Sequence, residues 1–374
     1  MDFIVKKVRL SKSSISNVEK VAVNQVLDSE YLGMGEKVKI FEDKIKQYLN
    51  TDLEVVCVNT GTAALHLSIV ALGLKSGDEI LVPSLTYVAS FQAISAAGAI
   101  PIACDINPET LFLDSNDARS KITNKTKAIM PVHYAGNSLG IDEIYSIADE
   151  YDLRVIEDAA QSFGSKIGGQ KVGTKGDIVC FSFDGIKNIT SGEGGAILTS
   201  DQNLLQKVRD MRLLGVEGDT QNRYKGCRSW DFDVKEQGFR YHMSNIMAAI
   251  GISQLTRIES FRLKRQDVAN VYVKNFRNMI DVECLNFDFS EVLPHIFVIF
   301  ASNRDQLKIF LEENNVETGV HYKPNHLLTK YKSDSTLPNV ELAYKKILTL
   351  PCHYDFTNEE QSYVIGLIRT FYDK

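Results

Sequence analysis

The chain has 374 residues and a net charge of −6 at pH 7, enough for one large domain or two unequal ones. Its apolar share of 44% and charged share of 24% suit a globular protein with a sizeable core. The acidic balance, without a clustered run of Lys and Arg, argues against a nucleic acid or an anionic membrane as partner. No apolar stretch reaches bilayer length and Met1 to Lys7 lacks a signal-like apolar segment, so a cytoplasmic protein is expected. The six cysteines (Cys57, Cys104, Cys180, Cys227, Cys284 and Cys352) are widely spaced, and several lie in apolar runs, as reduced core cysteines do.

Ser16 to Asp28 reads as an amphipathic helix, followed by a loop containing Gly33-Met34-Gly35. A second helix is predicted from Glu36 to Leu49, with Val38, Phe41, Ile45 and Leu49 at helical spacing. Val55 to Val58 is a strand, and Asn59-Thr60-Gly61-Thr62-Ala63-Ala64 turns from it into a helix. A glycine-containing turn with hydroxyls at a helix N-terminus is a ready cradle for an anion. Glu79 to Pro83 is a short strand broken by proline, and Thr86 to Ser90 opens a helix. Strands at Ala99 to Ala103 and Ala128 to Val132, and a helix at Asp142 to Tyr151, lead to a strand ending in Glu157-Asp158-Ala159-Ala160-Gln161. This alternation predicts a mostly parallel, doubly wound α/β sheet. A carboxylate at a strand's C-terminal end lies where such sheets bind ligands.

Gly176 to Cys180 and Ala196 to Thr199 read as buried strands. Between them sit Lys187 and the glycines Gly192, Gly194 and Gly195. A lysine at the end of a buried strand is partly desolvated, which lowers its pKa and frees its amine for Schiff-base chemistry. An imine-forming lysine and an acid that keeps a pyridinium nitrogen protonated are the two groups pyridoxal phosphate requires. A helix from Asp201 to about Leu214 is followed by a polar loop, Glu217 to Gln237, and by Gln237 to Gly251. A long helix from Ser244 to about Met279 is expected to join a large domain (1–250) to a smaller one (251–374). The latter holds a strand at Pro294 to Ala301 and helices at Arg304 to Asn314 and Thr357 to Tyr372. His321, His326 and His353 lack the carboxylate or cysteine spacing of a zinc site, so no metal is expected.

The set Asn59-Thr60-Gly61-Thr62-Ala63-Ala64, Pro83-Ser84-Leu85-Thr86-Tyr87, Glu157 to Gln161, Phe181-Ser182-Phe183 and Lys187-Asn188 through Gly194-Gly195 resembles the nucleotide-sugar aminotransferases of the DegT/DnrJ/EryC1/StrS group. The likeness runs over nearly the whole chain with the motifs in order. It implies the pyridoxal-phosphate-dependent transferase fold type I: a large domain with a mostly parallel, seven-stranded-type sheet flanked by helices, and a smaller C-terminal α+β domain. It implies further that Lys187 carries the cofactor and acts as general base and acid, and that Asp158 holds the ring nitrogen protonated. Tyr87 would stack on the ring, Gln161 would pack against it or bond its hydroxyl, and Thr62, Ala63 and Ser182 would hold the phosphate. Arg240-Tyr241-His242 stands where many relatives carry Asn-Tyr-Arg. The resemblance implies a homodimer in which Arg240 or His242 reaches the partner subunit's cofactor phosphate. Gly33, Met34, His321 and Tyr322 would lie at the sugar. L-glutamate is the implied donor, and a dTDP- or UDP-linked 4-keto-6-deoxy sugar the acceptor, for surface-polysaccharide aminosugars such as those of lipopolysaccharide O-antigen. Amination at carbon 3 and a GDP-linked ketosugar are the alternatives. A sugar dehydratase, in which histidine replaces the lysine, and a non-catalytic cofactor-binding regulator are more distant ones.

Overall fold

The computed structural model describes residues 7–333 and 335–373; the stretch Met1 to Lys6, part of the signal-segment reading, lies outside them. The chain begins with α1 (Asn17–Asp28), α2 (Glu36–Leu49), β1 (Glu54–Val58), α3 (Gly61–Ala71), β2 (Glu79–Pro83), α4 (Val88–Ala96) and β3 (Ile100–Cys104). Next come α5 (Ser115–Ser120), β4 (Thr126–Ile129), α6 (Ile141–Tyr151), β5 (Arg154–Asp158), a small hairpin of β6 (Lys166–Ile167) and β7 (Gln170–Lys171), β8 (Ile178–Ser182) and β9 (Gly195–Thr199). The remainder is α7 (Gln202–Met211), α8 (Asp219–Tyr224), α9 (Asn245–Leu255), α10 (Ile258–Phe276), β10 (Val282–Cys284), β11 (Phe297–Ala301), α11 (Arg304–Glu313), α12 (Pro338–Lys346), β12 (Ile347–Leu350) and α13 (Asn358–Tyr372).

The main sheet has seven strands in the order β1-β9-β8-β5-β4-β2-β3. All neighbours are parallel except β9, which runs antiparallel to both β1 and β8. The exception follows from the connection: the chain from β8 folds back as a hairpin, where a parallel return needs a crossover. β8 and β9 are buried along their whole length, which is why both read as continuous apolar runs. α2 buries Val38, Phe41, Ile45 and Leu49, the stripe its spacing predicted. α1 opens with a capping box in which Ser16 and Glu19 satisfy each other's backbone amides. A second, antiparallel sheet of β10, β11 and β12 belongs to the C-terminal part of the chain. Val8 pairs with Val316 beside it, so the N-terminal segment joins this C-terminal unit.

Two expectations are corrected. The single helix predicted from Ser244 to Met279 is two helices, α9 and α10, with a break at Thr256 and Arg257. There the Arg257 side chain turns away to Glu19, 2.8 Å off, and lies over the Phe261 ring. The expected domain boundary at 250/251, set within the expected joining helix, lies in α9. The polar loop from Glu217 to Gln237 also contains α8, whose Tyr224 is drawn inward to a buried ion pair. Arg212 donates to Glu42 Oε1 at 2.8 Å and to the Tyr224 hydroxyl at 2.7 Å, and the hydroxyl donates to Glu42 in turn.

Candidate active site

The C-terminal ends of β1, β5 and β8 open into one cavity of about 470 Å³. This is where open α/β sheets present ligand sites. Thr62, Tyr87, Asp158, Gln161, Ser182, Lys187, His321 and Tyr322 all line it.

β5 delivers Asp158 to the cavity floor and its neighbours fix it there. The Ser90 hydroxyl of α4 donates to Oδ2 at 2.7 Å, and the Ala160 N–H donates to Oδ1 at 3.2 Å. Ser90 is held in turn by a contact of 2.9 Å with the Thr86 hydroxyl. Gln161 is clamped at both ends of its amide: Oε1 accepts from the Ala135 N–H at 2.9 Å, and Nε2 donates to the Tyr322 hydroxyl at 3.3 Å. The Tyr87 and Tyr322 rings pack at 5.5 Å between centroids.

Lys187 lies in the loop between β8 and β9, anchored by its buried neighbour. The Asn188 amide donates to the Phe163 carbonyl at 3.0 Å. Burial pushes the Lys187 amine below the ordinary lysine range, against the opposing charges of Asp158 and Asp184. His321, whose Nδ1 is 2.8 Å from the Thr349 hydroxyl, is depressed to about 4 by burial and by Lys187. Its histidine ring is therefore neutral near neutral pH.

The helix end of α3 makes a cradle. Thr60 caps it by accepting the Ala63 N–H at 2.9 Å. That leaves the first-turn amides of Gly61 and Thr62, which no carbonyl of the helix can reach. Gly61 is required by close approach: a Cβ there would sit 2.7 Å from the Ser182 Cβ. Gly195 serves the same junction, since a Cβ on it would lie 2.4 Å from the Thr60 carbonyl oxygen.

Five predicted site residues are not brought to the cavity within one chain. Ala63 is buried with its N–H already committed to Thr60, so it does not serve as a free donor. Met34 is a core residue, 1% exposed, because its loop folds down onto the start of α9, where the Asn245 N–H donates to the Gly33 carbonyl at 2.9 Å. That packing corrects the expectation of a Met34 side chain at the sugar, while Gly33 stays exposed at the surface. Arg240 and His242 run alongside the end of β1, where His242 bridges Val58. Burial and the nearby Arg240, Arg223 and Arg212 hold His242 down to about 4. Conversely, Ser90, Asp184, Glu193 and His295 belong to the site or touch its groups but were not singled out in the sequence. For His295 a polar residue heading an apolar strand was the available signal; for Ser90 there was none.

A family model for the DegT/DnrJ/EryC1/StrS aminotransferase family matches residues 13–369. The chain belongs to that family. The GDP-perosamine synthase of Escherichia coli O157:H7 is 35% identical over 372 residues, covering 98% of this chain and 99% of that one. Among solved structures, S. venezuelae DesV superposes with a TM-score of 0.87 at 28% identity, over 95% of this chain and 94% of that one. A Streptococcus pneumoniae protein in its PLP form superposes with a TM-score of 0.91 at 28% identity, over 98% and 99% of the two chains. The protein is thus a sugar aminotransferase with pyridoxal phosphate as its cofactor. The residues present fit that group: an amine, a carboxylate fixed by two donors, and a glycine-cleared helix N-terminus share one cavity.

Proposed function

We propose that this family member transfers an amino group from L-glutamate to a nucleotide-linked ketosugar for surface-polysaccharide aminosugar synthesis. The observation that carries the reading is the shared cavity of Lys187 and Asp158, which His321 and Tyr322 also line. The E. coli relative named GDP-perosamine synthase favours a GDP carrier over the dTDP or UDP carrier expected from the resemblance alone.

Pyridoxal phosphate, when bound, supplies an electron sink for the bond broken at the donor's α-carbon. Lys187 would hold it and then, as a free amine, take the α-proton on Nζ and return it on the acceptor side. The lowered pKa of the buried amine leaves more of it unprotonated and able to act as base. Asp158, oriented by Ser90 and Ala160, would keep the ring nitrogen's proton in place. Gly61, Thr62 and Ser182 would hold the phosphate, Tyr87 and Gln161 would orient the ring, and His321 and Tyr322 would face the sugar. The two half-reactions share one site, so kinetics should be ping-pong.

A homodimer is part of the proposal. α1 and the segment before it expose Ile15, Val18, Val21 and Leu27, and the segment after α8 exposes Trp230 and Phe232, apolar surface that a second copy would cover. Such a copy would be the one whose cofactor Arg240 or His242 reaches. The functional test is a panel of GDP-, UDP- and dTDP-linked 4-keto and 3-keto sugars, each with glutamate, scored for aminosugar and 2-oxoglutarate. Turnover of none of them would refute the substrate class. Lys187→Ala should abolish both the absorbance of the lysine-bound cofactor and turnover, and ordinary turnover by that variant would refute the role of the amine.

A further inference from the structure

His295 lies just ahead of β11, 5% exposed, and has no part in the roles above. Its Nε2 is 3.4 Å from Lys187 Nζ, a long hydrogen bond, while its buried Nδ1 has no hydrogen-bond partner among the described residues. The backbone that carries it is gripped from behind. Arg265 of α10 donates to the carbonyls of Pro294 at 3.3 Å, His295 at 3.0 Å and Cys352 at 2.7 Å. Two buried basic groups, Lys187 and Arg265, act on the ring, as does His321, and no carboxylate among the described residues does. Lys187 in turn faces Asp158 from β5, Asp184 from its own loop, and His295 and His321 from the C-terminal part of the chain. Burial and these cations hold His295 well below the ordinary histidine range.

A neutral imidazole carries one N–H and one lone pair and can exchange which nitrogen bears which. Towards an ammonium, Nε2 accepts; towards a free amine, Nε2–H donates to the lone pair. A carboxylate at this place would trap the ammonium, and an apolar side chain would hold neither form. We propose that His295 is a positioning residue for Lys187, keeping Nζ in place in both of the protonation states that proton transfer passes through. The purpose rests on the aminotransferase reading, but the contact itself is testable without substrate.

The test is competitive trace acetylation of the full-length, cofactor-stripped protein with acetic anhydride across the neutral-to-alkaline range. Peptide mass spectrometry gives the titration midpoint of Lys187. His295→Leu removes an acceptor for the ammonium and should lower that midpoint by about one pH unit. His295→Gln, whose amide can donate or accept at the same place, should restore it to near the wild-type value. An unshifted midpoint in the leucine variant, or equal shifts in both variants, would overturn the proposal. If the leucine variant does not fold, His295→Asn, too short to reach Nζ, replaces it: the same downward shift is expected, and its absence or its equality with the glutamine variant overturns the proposal. A wild-type protein inactive on every ketosugar would defeat the functional reading and leave this titration interpretable.

Discussion

Replacing Ser90 with alanine isolates what holds Asp158 in place. The Ser90 side chain is fully buried, 2.7 Å from Asp158 Oδ2, and its loss leaves, among the described residues, the Ala160 N–H at 3.2 Å on the other oxygen. No atom is added, so nothing nearby has to move to make room. A hydrogen bond to a charged group contributes about 1.5–3 kcal/mol, more than the ~1 kcal/mol of a neutral one. If the orientation of the carboxylate matters in the rate-limiting transition state, Ser90→Ala should lower kcat by about 10- to 100-fold. In an Asp158→Asn background the partner is neutral and the same change should cost only about fivefold. Single-turnover absorbance with glutamate on all four members of this double-mutant cycle measures the coupling. An undiminished rate in Ser90→Ala, or the same factor in both backgrounds, would refute the reasoning.

Gly61→Ala should weaken pyridoxal phosphate binding by about 10- to 100-fold in a spectroscopic titration, because the new methyl overpacks the cradle against Ser182. Glu42→Leu should destabilise the protein by about 3–5 kcal/mol in chemical denaturation, since it strands the fully buried Arg212 without its carboxylate. Pairing it with Arg212→Met should recover much of the loss, and equal stabilities for the single and double variants would contradict that account. Burial alone would raise the Glu19 carboxyl, but hydrogen bonds from Ser16 and Arg257 outweigh it and bring the pKa down to about 2. A carboxyl depressed in the folded state contributes stability above its unfolded pKa that is lost as pH falls through the folded one. Stability should therefore decline between the ordinary glutamate range and pH about 2. Glu19→Gln should flatten that part of the profile, and an unchanged slope would count against it.

Much of the fold was legible because it is written in local periodicity. The stripe of Val38, Phe41, Ile45 and Leu49 faces the core as its spacing requires, and β8 and β9 are the buried runs they look like. The break between α9 and α10 was not legible, since helical pattern continues across Thr256 and Arg257. What marks the turn is the reach of Arg257 to distant partners, among them Glu19, 238 residues away.

The same division holds at the site. Sequence alone determined which chemical groups are available, because Asp158 and the Gly61 turn sit in short motifs at strand ends and Lys187 in a glycine-containing loop between two buried strands. Only the tertiary structure decided what holds those groups. Ser90 meets Asp158 across 68 residues and His295 meets Lys187 across 108, through contacts that no periodicity encodes. It also decided that Met34 goes to the core rather than the cavity. Burial is a property of what the rest of the chain packs against a residue, and no window around that residue contains it.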